Sequence, residues 1–326
     1  MNNYSLLQRF LHRIVLSSKL MREIMFDFEK SIFFKKDDKF DDNHIFVAGL
    51  ARSGTTILLN AIYQSNQFAS LTYDDMPFIL APNFWKKISP RKSHGQLQER
   101  AHKDGIKVST KSPEAFEEVF WKTFDDDLIN CDEFFIKYIS LILKKNNKTR
   151  YLSKNNQNIR RLDLITKAFP RSKVLIPFRD PLQQAFSLYS QHIKFVKEQN
   201  EDVFVRDYMK WIGHSEFGMD YKMIHPSNLL YPNENEFNHW LEQWYLTYNS
   251  VLELSVKNEE LYLIGHESLC TNPKVWVNLK DLLSIDQETE SLFKESKKAI
   301  TENFDNNLSD KCYRLYESLV SKSFGK

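Results

Sequence analysis

Gly49-Leu50-Ala51-Arg52-Ser53-Gly54-Thr55-Thr56 decides the fold. The stretch follows a short apolar run, His44–Ala48, and opens a helical pattern that continues from about Thr55 to Gln64. Strand, glycine-bearing turn and helix in that order form a concave anion site, because successive backbone N–H groups and the helix N-terminus face one point. Glycine lets the main chain approach the anion and take positive φ. Gly49 and Gly54 stand at Walker A spacing, yet Thr55 occupies the place of the lysine. Thr55 and Thr56 offer hydroxyl donors and Arg52 a planar charged fork. The plainer reading, a turn whose glycines serve packing alone, fits Arg-Ser-Gly-Thr-Thr after a buried strand poorly.

A nucleoside triphosphate needs the missing lysine for its β- and γ-phosphates, and no Walker B aspartate is evident. The loop therefore suits a shorter anion, such as a phosphosulfate. Outward from the loop, helices are expected at Asp132–Lys145, Leu162–Phe169, Pro181–Lys197 and Phe237–Val256, with strands at Tyr151–Ser153, Lys173–Phe178 and Leu261–Gly265. Alternating strands and helices predict an α/β fold, a central parallel sheet flanked by helices, with a helical insertion near 200–256. Residues 1–40 read as an N-terminal helical arm and 41–326 as the main domain. Asn83–Gly105 is expected to be a long loop, and Ser112-Pro113-Glu114 to start a helix.

Composition limits the function classes. The 326 residues are 42% hydrophobic and 14% aromatic, which is enough for a large core. The net charge of +2 gives no overall field for nucleic acid or an anionic membrane, so anion affinity must come from local clusters. Ile45–Ala51 is among the longest apolar runs and is far too short to span a bilayer. Arg9, His12 and Arg13 interrupt the first apolar segment, which excludes a secretory core there. Cys131, Cys270 and Cys312 lie far apart, match no metal or redox spacing and suit a reducing compartment. A cytoplasmic protein without a bound metal or a transmembrane segment is expected.

A second anion site is expected where the strand Lys173–Phe178 runs into Arg179-Asp180-Pro181. Arg179 stands at a strand's carboxyl end, where open α/β sheets bind ligands, and Ser187 follows two helical turns later. Taken alone, Asp180 could simply pair with Arg179 or cap the helix. Together the two stretches resemble the sulfotransferases that use 3′-phosphoadenosine-5′-phosphosulfate (PAPS). Gly265-His266-Glu267-Ser268-Leu269-Cys270-Thr271-Asn272-Pro273 is similar to a further Glu-x-Leu-x-x-x-Pro turn of that family, and the order of elements agrees from about 44 to 283. The resemblance implies a P-loop-like fold and sulfuryl transfer to an acceptor hydroxyl, with PAP as product. Arg52, Ser53, Gly54, Thr55 and Thr56 would hold the 5′-phosphosulfate, and Arg179 and Ser187 the 3′-phosphate.

The same resemblance suggests catalytic residues. Lys154, just past a strand end, is similar in place to the lysine that meets the leaving oxygen. The small-molecule branch adds a histidine base there, but Asn155 and Asn156 follow Lys154 here. The chain is in this respect closer to the branch with an acidic base. Asp74-Asp75 lies in the corresponding region, so Asp75 is expected as general base with Asp74 as substitute, and Arg52 contributes either way. The plainer reading makes both aspartates solvated loop groups or helix caps. Glu114, Glu117 and Glu118 read as a solvated face with a cap, and His214, in Gly213-His214-Ser215-Glu216, as a lone histidine. The acceptor is expected to be a small molecule or glycan, with carbohydrate favoured by analogy. Two other functions fit the loops, a P-loop small-molecule kinase and a nucleotide-binding protein without catalysis.

Overall fold

The computed structural model describes residues 6–36, 41–89, 98–99, 107–124, 131–286 and 293–325. Its strands are β1 (Ile45–Val47), β2 (Phe68–Ala69), β3 (Gln98–Glu99), β4 (Lys107–Val108), β5 (Arg150–Lys154), β6 (Lys173–Phe178) and β7 (Leu261–Gly265). Five form one sheet in the order β2-β5-β1-β6-β7, and every pairing in it is parallel. β3 and β4 form a separate antiparallel pair. The fold is therefore α/β, with helices flanking a central parallel sheet.

The period of two in each strand divides the core between the faces of the sheet. Ile45, Val47, Leu175 and Ile264 pack with Leu58, Leu59 and Ile62 of the helix Thr55–Tyr63 and with Leu279. Phe46, Val174, Ile176 and Phe178 point the other way, into an aromatic core containing Trp121, Phe135, Tyr138, Trp244 and Tyr248. Burial on both faces explains why the strands read as unbroken apolar runs. Register then sets the site. Val47 is level with Lys154 of β5 and Leu175 of β6, and Phe178 is level with Gly265 of β7. The strand ends that carry the turn after β1, Lys154, Arg179 and His266 therefore share one edge of the sheet.

The arm forms the helices Leu6–Ser17 and Lys19–Phe33, the second capped by Ser18. Phe26 is fully buried against Phe120, Phe124 and Tyr138. Arg22 donates from Nε to Thr123 Oγ1 at 2.7 Å.

Two expectations are corrected. Pro82–Ile88 is a helix rather than the start of a loop, and residues 90–97 and 100–106 lie outside the described residues. Its early amides are satisfied from a distance: Glu29 accepts the N–H of Asn83 at 2.7 Å and of Phe84 at 3.0 Å. The helix expected at Ser112–Glu114 begins instead at Glu118, because Pro113 is held in a β-bridge with Thr72.

Candidate active site

The two motifs meet in one open cleft of about 160 Å³, lined by Arg52, Gly54, Thr55, Thr56, Arg179 and Ser187 among others. Arg52 donates from Nε to Ser187 Oγ at 2.9 Å, so the motifs touch directly. Backbone geometry makes the cradle. Gly54 has φ +97° and Arg52 φ +67°, and a Cβ on Gly54 would stand 2.7 Å from His266 Nδ1. Ser53 is fully buried and turns its hydroxyl onto the Leu50 carbonyl at 2.8 Å. Gly49 packs so near β6 that a Cβ there would be 3.0 Å from the Pro177 oxygen.

Sequence reading missed the other walls of the cleft. Gln183, His266, Lys294 and Lys298 line it too. Gln183 exchanges two hydrogen bonds with the Lys298 backbone, at 2.9 and 2.8 Å, and Arg179 donates to the Ser296 carbonyl. The segment 294–298 thus lies along the strand-end arginine and adds two lysines to the cleft. Burial first, and then the Arg179 charge, lower the His266 pKa to about 4, so a neutral ring faces Gly54.

Lys154 is 5% exposed at the end of β5, with Nζ 3.5 Å from Glu114 Oε1. Burial of a lysine requires such a partner. The acidic residues expected on a solvated face are in fact interior. Glu117 accepts hydrogen bonds from Trp121 Nε1, Asn158 Nδ2 and the Tyr151 hydroxyl at 2.8–3.0 Å. Glu118 takes both Arg161 nitrogens at 2.8 and 3.0 Å and Asn155 Nδ2 at 2.7 Å. These carboxylates brace the strand end that presents Lys154.

Asp75 is 1% exposed and is held within its own turn. Oδ2 accepts from the Thr72 N–H and hydroxyl at 2.9 and 3.1 Å, and Oδ1 lies 2.6 Å from Lys145 Nζ. Asp74 accepts the Trp85 indole N–H through its backbone oxygen at 2.9 Å. Neither carboxylate lines the phosphate cleft.

A second, small pocket adjoins the loop, with Ala51, Asn156, Glu216, Tyr221 and Trp240 among its walls. Ala51 and Leu188 border this pocket while their chain neighbours Arg52 and Ser187 border the first. A chain of side chains connects them. Thr55 Oγ1 donates to Asn156 Oδ1 at 3.4 Å, Asn156 Nδ2 to Glu216 Oε1 at 3.2 Å, and Glu216 Oε2 lies 2.8 Å from His214 Nδ1. His214 is thus one of a pair and not a lone histidine. Gly213, at φ +77°, turns the chain after the helix Val203–Trp211 and brings His214 inward. The signal available in the sequence was this glycine just past a helix end, followed by a histidine and a glutamate two residues apart. Among the described residues no group of three or more His, Cys, Asp or Glu side chains could hold a metal ion.

Comparison with known proteins bears on this geometry. A model described as "Sulfotransferase family" matches residues 44–233. No curated protein sequence matches the chain. Sulfotransferase STF9 from Mycobacterium avium superposes with a TM-score of 0.50 at 12% identity, covering 97% of this chain and 78% of that one. Sulfotransferase STF1 from Mycobacterium tuberculosis H37Rv gives 0.47 at 13% identity, covering 98% and 82%. At such identities the likeness to STF9 concerns the fold alone.

Proposed function

The chain belongs to the sulfotransferase family, and we propose that it transfers a sulfuryl group from PAPS to a hydroxyl of a small-molecule or glycan acceptor. One observation carries the reading: the turn at Arg52–Thr56 and the Arg179/Ser187 pair line a single cleft. A donor with two separated anionic groups calls for two such sites side by side. The fit is also chemical, since Arg52, Arg179, Lys294 and Lys298 supply fixed and mobile positive charge, and the absent Walker lysine disfavours a triphosphate.

The bound donor supplies an activated sulfuryl group on a phosphate leaving group. The amides of Ser53 to Thr56 and the Thr55 and Thr56 hydroxyls hold its 5′ end, while Arg179 and Ser187 hold the 3′-phosphate, with Arg52 bridging through Ser187. Lys154 meets the charge that develops on the leaving oxygen. Its Nζ lies 3.5 Å from Glu114 Oε1, which offsets the cost of burying the side chain. The base role expected for Asp75 is reassigned, because its carboxylate lines neither the cleft nor the second pocket and closes its own turn through Thr72. Carbohydrate is favoured as acceptor by family analogy.

The arm of residues 1–40 is assigned to the scaffold of the domain spanning 41–326, with Phe26 and Arg22 as its anchors. The reaction is assigned to the cytoplasm, in keeping with Cys270 and Cys312 remaining free thiols; among the described residues no helix is long and apolar enough to cross a membrane. Calorimetry with PAP and with ATP tests the proposal. PAP is expected to bind and ATP not to, with radiolabelled sulfate passing from PAPS to a hydroxyl acceptor. Tight ATP binding without PAP binding points to the kinase alternative, and PAP binding without any consumption of PAPS to a nucleotide-binding protein.

A further inference from the structure

The second pocket and the buried pair beside it are left unused by the donor site. Gln157 lines this pocket and is 4% exposed, and its amide nitrogen makes no hydrogen bond among the described residues. A buried amide donor left in this way is destabilising unless something accepts from it. Across the same pocket stands Glu216, an acceptor whose Oε2 is tied to His214. A donor side chain and an acceptor side chain among the walls of one pocket suit a hydroxyl, which both accepts and donates.

We propose that this pocket receives the acceptor hydroxyl, which accepts from Gln157 and donates to Glu216, and that the Glu216–His214 pair takes its proton. This rests on the sulfotransferase reading. The acceptor O–H bond breaks and its proton goes to the pair. The freed oxygen electrons form the new O–S bond. The S–O bond to the 5′-phosphate breaks, and its electrons stay on the phosphate oxygen opposite Lys154. Glu216, which faces the hydroxyl, is the catalytic residue, and His214 is its positioning partner and proton store.

The electrostatics around the pair agree with that role. Burial alone would strip the proton from His214, but the Glu216 carboxylate outweighs it and raises the pKa above 6.5, with Lys154 opposing and Glu114 assisting. Burial would raise the Glu216 pKa, yet His214 and Lys154 bring it down to about 2. Glu118, held by Arg161, also acts on Glu216, and Lys222 lines the pocket. The pair therefore gains or loses a single proton as a unit. It accepts one above the raised histidine pKa and is already filled below it.

Three measurements on the full chain test the assignment: PAP affinity by calorimetry, the rate of PAPS hydrolysis with water as acceptor across pH, and the His214 resonance by NMR. Glu216→Gln and His214→Asn are expected to leave PAP affinity within about twofold, to slow hydrolysis by about a hundredfold or more, and to remove the acidic limb of its pH profile. In Glu216→Gln the His214 titration is expected to move below 6.5, since burial and Lys154 are then opposed by Glu114 alone. Retained PAP affinity shows that the variants fold, and if one variant loses it the other decides. Wild-type hydrolysis and pH profile in both variants, or an unmoved His214 titration, overturn the proposal. Failure of the wild type to bind PAP instead overturns the donor reading, while the NMR result still reports on the pair.

Discussion

Arg52 and Ser187, 135 residues apart, are joined by a hydrogen bond of 2.9 Å from guanidinium to hydroxyl. One residue belongs to the turn after β1 and the other to the helix after β6, so the contact fixes the distance between the two anion sites. Arg52 holds this position at φ +67°, a left-handed conformation that a non-glycine residue adopts only when its surroundings require it. Arg52→Ala is expected to weaken PAP binding by about ten- to a hundredfold, the loss of one charge-assisted contact. Ser187→Ala should lose less, because Arg52 keeps its charge. Calorimetry on both variants checks the order, and equal losses would mean that Arg52 acts only through Ser187.

Gly54 has a sharper requirement. Its φ of +97° excludes most side chains, and a methyl group there would sit 2.7 Å from His266 Nδ1. Gly54→Ala should cost about 1–3 kcal/mol of stability and disorganise the cradle, because the helix Thr55–Tyr63 starts at this residue. The expected result is a lowered melting temperature together with loss of PAP binding. A variant that melts as the wild type does and binds PAP equally well would show that the loop has room to rearrange.

Lys154 separates chemistry from binding. It lies beside the Glu114 carboxylate at the end of β5, outside the walls of the phosphate cleft. Lys154→Met keeps the length of the side chain and removes the charge. PAP affinity is expected to change little and the transfer rate to fall by about a hundredfold or more, the range of a lost charge stabiliser. A lower melting temperature should accompany this, since Glu114 would then be buried without its cation. A full rate with normal PAP affinity would remove Lys154 from the mechanism.

The strands and the turn after β1 were legible because their signals are local. Lys173–Phe178 and Leu261–Gly265 have the bounds expected from their apolar runs, and the turn between β1 and its helix follows from two glycines. What was hidden depends on distant partners. The helix Pro82–Ile88 has no cap of its own in sequence, because Glu29 supplies it across more than fifty residues. Glu117 and Glu118 look like surface charges until Tyr151, Asn158 and Arg161 are placed against them. His214 and Glu216 are ordinary as letters and become a pair only because Gly213 turns them under Asn156. The segment 294–298 carries no motif, and Arg179 and Gln183, from distant stretches of chain, give it a place.

Asp75 tests the boundary between the legible and the hidden. Its carboxylate closes the turn Tyr73–Asp75 through Thr72 and pairs with Lys145. Asp75→Asn preserves the shape and an acceptor for Thr72 but removes the charge opposite Lys145. Stability is expected to fall by about 1–3 kcal/mol, less than for a fully enclosed pair because Lys145 is near the surface. Urea unfolding should register the loss while PAPS turnover per folded molecule stays within a few-fold. Normal stability with abolished turnover would restore Asp75 as the base.

Acid should loosen the sheet through its histidines. His44, just before β1, accepts the Tyr151 N–H on Nδ1 at 3.1 Å, which needs a neutral ring. Burial chiefly, with Arg150 adding and Asp41 opposing, lowers its pKa from 6.5 to about 4. As the pH falls through 6.5 the unfolded chain takes up a proton that the folded chain refuses until about 4. Between those values the unfolded state binds more protons, so stability declines as acid is added, by about 1.4 kcal/mol per pH unit for such a group. His266, lowered to about 4 in the cleft, acts in the same direction. Urea midpoints measured across this window should drop in the wild type. His44→Gln, which keeps a side-chain acceptor but cannot titrate, should show a shallower slope than the wild type, and an identical slope would mean that the His44 ring already carries its proton in the folded chain.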